Sequence, residues 1–360
     1  MPPSVAVVTD STACLPAVPG VTVVPVPMIA DGVPLPGAAT RPPGDGGTPG
    51  GHPSTAPLTG DFAGRSAGDS TGPLAGDSTG PLAGDSTGPS AGHLTGPSTG
   101  DLASTGPLGG DPAPTGRLTG DLTSASTSRP SPESFASCYS SLAAAGATGI
   151  ISIHLSGELS GTAESARAAA GRSPVPVEVI DSRSIAMGLG YPVLAAARAA
   201  ASGASLETAA SAARRSIAAT RTFFYVDTLD HLRRSGRIGT AASLVGSALM
   251  IKPLLHIVDG RISLLEKVRT SSRAIARLED LAVQAAGKGP VEVAVQHVGA
   301  AERAETLADH LRKRLADLVE LRVVEVGAVI GIHVGPGTLG LTVTPYDVQA
   351  PPPDCPQPPH

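Results

Sequence analysis

Residues 149–155 read Gly-Ile-Ile-Ser-Ile-His-Leu, residues 156–162 read Ser-Gly-Glu-Leu-Ser-Gly-Thr, and residues 163–170 read Ala-Glu-Ser-Ala-Arg-Ala-Ala-Ala. The first stretch is a short apolar run suited to a buried strand. The second is a turn rich in hydroxyls and glycine. The third is dominated by strong helix formers. Strand, loop and helix in that order form the repeating unit of an α/β sheet. The alternation extends outward. Residues 132–145 read as a helix with Ser131 at the N-cap and Pro132 in the first helical position. Residues 177–181 read as a strand, and 188–201 and 206–220 as helices. Upstream, 4–9 is another apolar run. A further run at 21–29 carries prolines, which place it at an edge or make it irregular. The expected fold class is α/β, with an N-terminal domain of residues 1–37 plus 125–220 built on a parallel sheet flanked by helices.

Past residue 220 the pattern changes. Residues 222–226 are strand-like, and 229–234 and 241–250 are helix-like. Residues 254–258 and 261–265 flank Asp259-Gly260, a strong two-residue hairpin signal. A helix at 271–286, a strand at 291–298, a helix at 301–316 and strands at 321–326 and 341–344 follow. They predict a second, mixed α/β domain over 221–347 and a Pro-rich, disordered tail over 348–360.

Between the two halves of the first domain the composition shifts. The octad Gly-Asp-Ser-Thr-Gly-Pro-Leu-Ala occupies 68–75 and 76–83, and recurs at 84–91 with Ser90 in place of Leu. A β-solenoid needs regular apolar positions to stack, and each octad offers one Leu and one Ala. Residues 38–124 are therefore read as a disordered insertion without an assigned function.

The formal net charge is −5 and the pI near 6.0, which argues against a basic nucleic-acid binder. Three cysteines without a CxxC fit a reducing compartment. The absence of a signal-peptide pattern and of a long uncharged apolar run predicts a soluble, cytoplasmic protein. No P-loop is present. Gly335 to Gly340 satisfies G-x-G-x-x-G but leads into a strand-like segment, where the dinucleotide motif should open a helix. The nine His are scattered without a ligand spacing, so no metal or cofactor is expected.

The residues with chemical potential are hydroxyls and cations. Thr127-Ser128-Arg129-Pro130 precedes a helix, and Ser156 to Thr162 joins a strand to one. At the carboxyl ends of parallel strands such groups can donate to a carboxylate or a phosphate. They equally serve as N-caps. Arg233, Arg234 and Arg237 end a short helix, where they also complement its dipole. Arg269 follows a strand, and His333 lies in a glycine-rich turn at 331–337.

Together these segments resemble the DegV family of bacterial fatty-acid-binding proteins. The matching stretches are Val-Thr-Asp-Ser-Thr-Ala at 8–13, Thr-Ser-Arg-Pro-Ser-Pro at 127–132 and Leu-Ser-Gly-Thr at 159–162. Further ones are Leu-Arg-Arg-Ser-Gly-Arg-Ile at 232–238, Ile-Lys-Pro-Leu-Leu at 251–255 and Lys-Val-Arg-Thr at 267–270, and the Gly/His turn at 331–337 completes the series. They occur in the family's order and span nearly the whole chain outside the repeat. The family usually has a second Ser where Gly157 stands here, followed by Glu158, and Gly where Ser235 stands.

The resemblance implies two α/β domains with a long-chain fatty acid between them as ligand and no cofactor. Thr127, Ser156, Arg269 and His333 would hold the carboxylate, with Ser128, Ser160, Gly161 and Thr162 as further members. Arg237 would face a docking partner or the phosphate. The chain would be the non-catalytic subunit of a fatty acid kinase. It would present the acid to a separate ATP-dependent kinase for acyl-phosphate formation in phospholipid metabolism, with transient contact to a membrane or an acyltransferase. Ile150, Ile153, Leu249, Ile251 and Leu254 are candidate lining residues. Two rival readings are a stand-alone acyl hydrolase or transferase, with Ser156 or Ser160 as nucleophile and His333 as base, and an interaction protein acting through the repeat.

Overall fold

In the computed structural model, which describes residues 4–30, 33–35, 125–244 and 251–346, the opening apolar run is strand β1 (Ser4–Asp10). It is followed by β2 (Val21–Val24), β3 (Met28–Ala30) and β4 (Val33–Leu35). Pro25 and Pro27, which carry no N–H donor, separate β2 from β3. The described chain resumes with β5 (Ser126–Thr127), α1 (Pro132–Ala144), β6 (Ala147–His154), α2 (Thr162–Ala170), β7 (Val177–Asp181), α3 (Met187–Ala201) and α4 (Leu206–Ala219). The octad repeat and the Pro-rich tail lie outside the described residues.

The first sheet has the order β2-β1-β6-β7 and is parallel throughout. One face packs Val7, Ile151 and Ile153 against Leu189, Ala209 and Ala213 of α3 and α4. The other packs Val8 and Ile150 against Phe135, Tyr139 and Ala166 of α1 and α2. Burial on both faces explains why β1 and β6 read as continuous apolar runs rather than alternating ones. Ile150, Ile151 and Ile153 are each 0% exposed, and each contributes roughly 1.5–3 kcal/mol of burial. A small second sheet has the order β4-β3-β5, in which Met28 pairs with both Leu35 and Thr127.

From Arg221 onward the chain forms β8 (Arg221–Tyr225), α5 (Asp230–Arg234), a 3-10 turn (Gly239–Leu244), β9 (Lys252–Val258), β10 (Arg261–Val268), α6 (Ser271–Ala286), β11 (Val291–His297), α7 (Ala301–Arg314), β12 (Leu318–Glu325), α8 (Ala328–Val334) and β13 (Leu339–Pro345). The sheet order is β10-β9-β8-β13-β11-β12, with only β11 and β12 parallel. Val291, Val293 and Val295 turn toward α6 and α7. The intervening Glu292 and Gln296 meet α3, where Arg198 donates twice to Glu292 at 3.0 and 3.1 Å and Met187 N donates to Gln296 Oε1 at 2.8 Å. Asp259 and Gly260 both have positive φ, 51° and 80°, as a two-residue turn between twisted antiparallel strands requires.

The architecture is the α/β class expected from the sequence, with a parallel first sheet and a mixed one after it. Two segments differ from the sequence reading. The helix expected over 241–250 is the 3-10 turn at its start, and its remainder lies outside the described residues. The glycine-rich turn expected at 331–337 is largely helical, since α8 runs through Gly331 to Val334.

Candidate functional site

The carboxyl ends of β1 and β6 deliver Thr12, Leu155 and the 156–161 loop to one place, and β5 sets Thr127 beside them. Opposite stand Phe223 and Phe224 of β8, Leu232 of α5, Arg237, and one side of α8. Between these elements lies a cavity of about 260 Å³. Most of its wall is apolar, including Leu159, Ile262, Ile330 and Val334. Its polar groups include Thr127, Ser128, Arg129, Ser160, Arg237 and His333.

A buried hydrogen-bond chain fixes the wall on the first sheet. Asp10 Oδ1 accepts from Thr12 N at 3.0 Å and Thr12 Oγ1 at 2.5 Å. Its Oδ2 accepts from Leu155 N at 3.1 Å and lies 3.0 Å from His154 Nδ1. His154 Nε2 lies 2.7 Å from Ser152 Oγ, which lies 2.8 Å from Tyr139 OH. All these side chains are buried. Ser152, His154 and Asp10 are a nucleophile–base–acid set by residue type, but they are sealed from the cavity. The set is scaffolding that positions Thr12 and Leu155.

The central pair is Thr127 Oγ1 and His333 Nε2, 2.9 Å apart. Burial, then the Arg237 charge, lowers the His333 pKa from 6.5 to about 4, so the ring is neutral near pH 7. His333 Nδ1 is buried without a partner. A buried orphan N–H is rarer than a buried orphan acceptor. With its proton on Nε2 the neutral ring donates to Thr127, and the threonine's own hydroxyl proton is then available to a ligand oxygen. Arg237 is tied by Nε to Leu159 O at 3.4 Å and by Nη1 to Ser235 O. Arg129, exposed at the rim, pairs with Glu164 at 3.1 Å. A Cβ at Gly161 would lie 2.8 Å from Cδ of this exposed Arg129 side chain, which would have to shift to admit it.

Of the residues singled out from the sequence, Thr127, Ser128, Ser160, Gly161, Arg237 and His333 line this cavity. Ser156, Thr162 and Arg269 do not. Ser156 Oγ donates to Gly260 O at 2.7 Å and accepts from Glu158 N at 3.2 Å, tying the loop to the β9–β10 turn. Thr162 is buried at the start of α2 with its hydroxyl 2.9 Å from that of Ser160. Arg269 is exposed between β10 and α6. Ile150 and Ile153 belong to the helix-facing cores of the first sheet and Leu254 to that of the second. Ile251 is also outside the lining, and Leu249 lies outside the described residues. Phe223, Phe224, Thr222 and Gln296 also line the wall without a local sequence signal, since they read as ordinary strand residues, and Thr12, within the 8–13 motif, joins them. Among the described residues no helix is long and apolar enough to cross a membrane, and no three His, Cys, Asp or Glu gather as a metal site would require.

A family model described as an uncharacterised protein of the DegV family matches residues 120–346. A DegV domain-containing protein of Streptomyces coelicolor is 56% identical over 218 residues, covering 61% of this chain and 78% of that protein. One of Mycobacterium tuberculosis is 41% identical over 230 residues, covering 64% and 81%. Among solved structures, a fatty-acid-binding DegV family protein from Thermus thermophilus has the same fold, with a TM-score of 0.69 at 24% identity over 95% of this chain and 100% of that one. A stearic-acid-binding protein from Eubacterium ventriosum gives a TM-score of 0.57 at 27% identity over 61% and 78%.

Proposed function

Because the chain belongs to the DegV family, we propose that it binds a long-chain fatty acid in this cavity and presents the carboxylate to a separate ATP-dependent kinase. The observation that carries the reading is an apolar cavity with a Thr–His pair and Arg237 in its wall. A buried carboxylate is costly unless hydrogen-bonded and paired with positive charge. Thr127 supplies a hydroxyl proton, Ser128 and Ser160 line the same cavity, and Arg237 supplies charge. His333, neutral, acts as the positioning partner of Thr127. At about 0.8 kcal/mol per buried CH₂, some 15 methylenes offer on the order of 12 kcal/mol before the costs of binding.

Arg129 and Arg237 are the cations that would meet an incoming phosphoryl group, while the ATP site would belong to the kinase. The hydrolase reading has less support. His333 Nε2 is engaged with Thr127, and Ser156 Oγ with a backbone carbonyl.

The test is to purify the protein, denature it and identify released lipid by mass spectrometry, with Thr127→Val beside the wild type. About one fatty acid per chain is expected from the wild type. Loss of a hydrogen bond to a charged group should weaken Thr127→Val by about 10- to 100-fold. A wild-type protein that is empty and takes up no added fatty acid would refute the reading. Unchanged affinity in Thr127→Val would refute the carboxylate position.

A further inference from the structure

We propose that the cavity holds a second polar contact, Thr222, that favours acyl chains bearing an oxygen substituent remote from the carboxylate. This inference rests on the fatty-acid reading above. Its basis is a directed chain of hydrogen bonds. Met187 N donates to Gln296 Oε1 at 2.8 Å, which fixes the orientation of the amide. Gln296 Nε2 must then donate, and it does so to Thr342 Oγ1 at 2.9 Å. Thr342 is 0% exposed. Its remaining hydroxyl neighbour is Thr222 Oγ1 at 3.2 Å, so its proton goes there.

Thr222 is thereby the acceptor and keeps its own proton to give. Its other hydroxyl neighbour, Ser184 Oγ, is 3.5 Å away, a long separation for an O–H···O bond. Thr222 is 8% exposed and lines the acyl cavity beside Phe223 and Ile257. A poorly partnered donor in such a wall favours a ligand oxygen over a methylene.

A second observation points the same way. Thr222 and Ile257 also border a further cavity of about 390 Å³, into which Ser182, Ser184 and Thr220 contribute. The wall behind Thr222 is therefore rich in hydroxyls, and an oxygen placed there does not enter a dry core. Thr222 stands on β8, whereas Thr127 and His333 stand on β5 and α8. Thr222 lies three residues along β8 from Tyr225, which is paired with Leu339 just beyond α8, a run of about 10 Å.

The experiment displaces a fluorescent fatty-acid probe with stearic acid and with hydroxystearic acids carrying the hydroxyl at successive positions. It compares the wild type with Thr222→Val, Thr222→Ser and Thr127→Val. At one position the wild type should bind the hydroxy acid about three- to tenfold tighter than stearic acid. Thr222→Val should abolish that preference, whatever its affinity for stearic acid, whereas Thr222→Ser should keep it. Thr127→Val should weaken both acids alike.

A wild type that favours unsubstituted stearic acid over every positional isomer would overturn the proposal, even if Thr222→Val fails to fold. So would a preference that survives in Thr222→Val. Failure of the wild type to bind any of the acids would overturn the fatty-acid reading itself, and this inference with it.

Discussion

Acidification probes the polar end of the cavity through one side chain. Burial, followed by the charge of Arg237, holds the His333 ring at about 4 in the folded protein, against 6.5 ordinarily. Above pH 6.5 the ring is neutral whether the chain is folded or not. Between 6.5 and about 4 the unfolded chain takes up a proton that the folded protein refuses, so stability falls as pH falls. Below about 4 both states carry the proton and no further loss accrues. The difference corresponds to roughly 3 kcal/mol, and the partial exposure of the ring trims it to about 2 kcal/mol. Urea denaturation of lipid-free protein from pH 7 to pH 4, followed by circular dichroism, measures this for the wild type and His333→Gln. Glutamine retains a donor and an acceptor for Thr127 but does not titrate. The wild type should lose about 2 kcal/mol more than the variant across that range. The imidazole proton resonance of His333 should show its midpoint near 4. Parallel stability curves, or a midpoint near 6.5, would refute the placement of this ring beside Arg237 in a desolvated wall.

Three further outcomes follow from packing. Glu292 is 2% exposed and bonded twice by Arg198, so Glu292→Gln should cost about 3–5 kcal/mol in chemical denaturation; a loss under 1 kcal/mol would show that the pair is not buried. A Cβ at Gly188 would crowd Ser184 Oγ and lie 2.6 Å from Thr222 Oγ1. Gly188→Ala should therefore lower stability by about 1–3 kcal/mol, and a neutral result would mean that α3 does not approach β8 this closely. Cys14 is part-buried, and desolvation pushes its thiol up to about 12. Peptide mapping after treatment with a thiol reagent at pH 8 should find Cys14 slow to react in the native protein and readily modified in denaturant; rapid native labelling would contradict the desolvation of its thiol.

Where local chemistry is unambiguous, the sequence is readable. Helix α6 starts where Thr270 can cap Arg273 N, and the Asp259-Gly260 turn has the two positive φ values its residues favour. Helix α8 is harder to see, because it is seven residues long with Gly327, Gly331 and Gly335 at its start, middle and end, and intrinsic propensity argues against it. Thr127 and His333 are each visible as candidates, yet their pairing spans 206 positions and no spacing rule announces it. Ser156 lies where a ligand-binding hydroxyl is expected, at the end of a parallel strand. Its partner, the Gly260 carbonyl, is 104 residues away, and nothing local signals that a hairpin turn will take the hydroxyl. The Thr222–Thr342–Gln296 chain is less legible still, because threonines in strands are what β-propensity alone would place there.

The pairing of Met28 with both Leu35 and Thr127 has a consequence for how this chain tolerates lengthening. Leu35 and Ser126 lie on either side of one strand, so the two stand about 10 Å apart. The anchor residue Thr127 takes its register from Met28, not from the 90 residues between 36 and 125. The number of octads can therefore drift while β3 keeps the neighbouring hydroxyl in place.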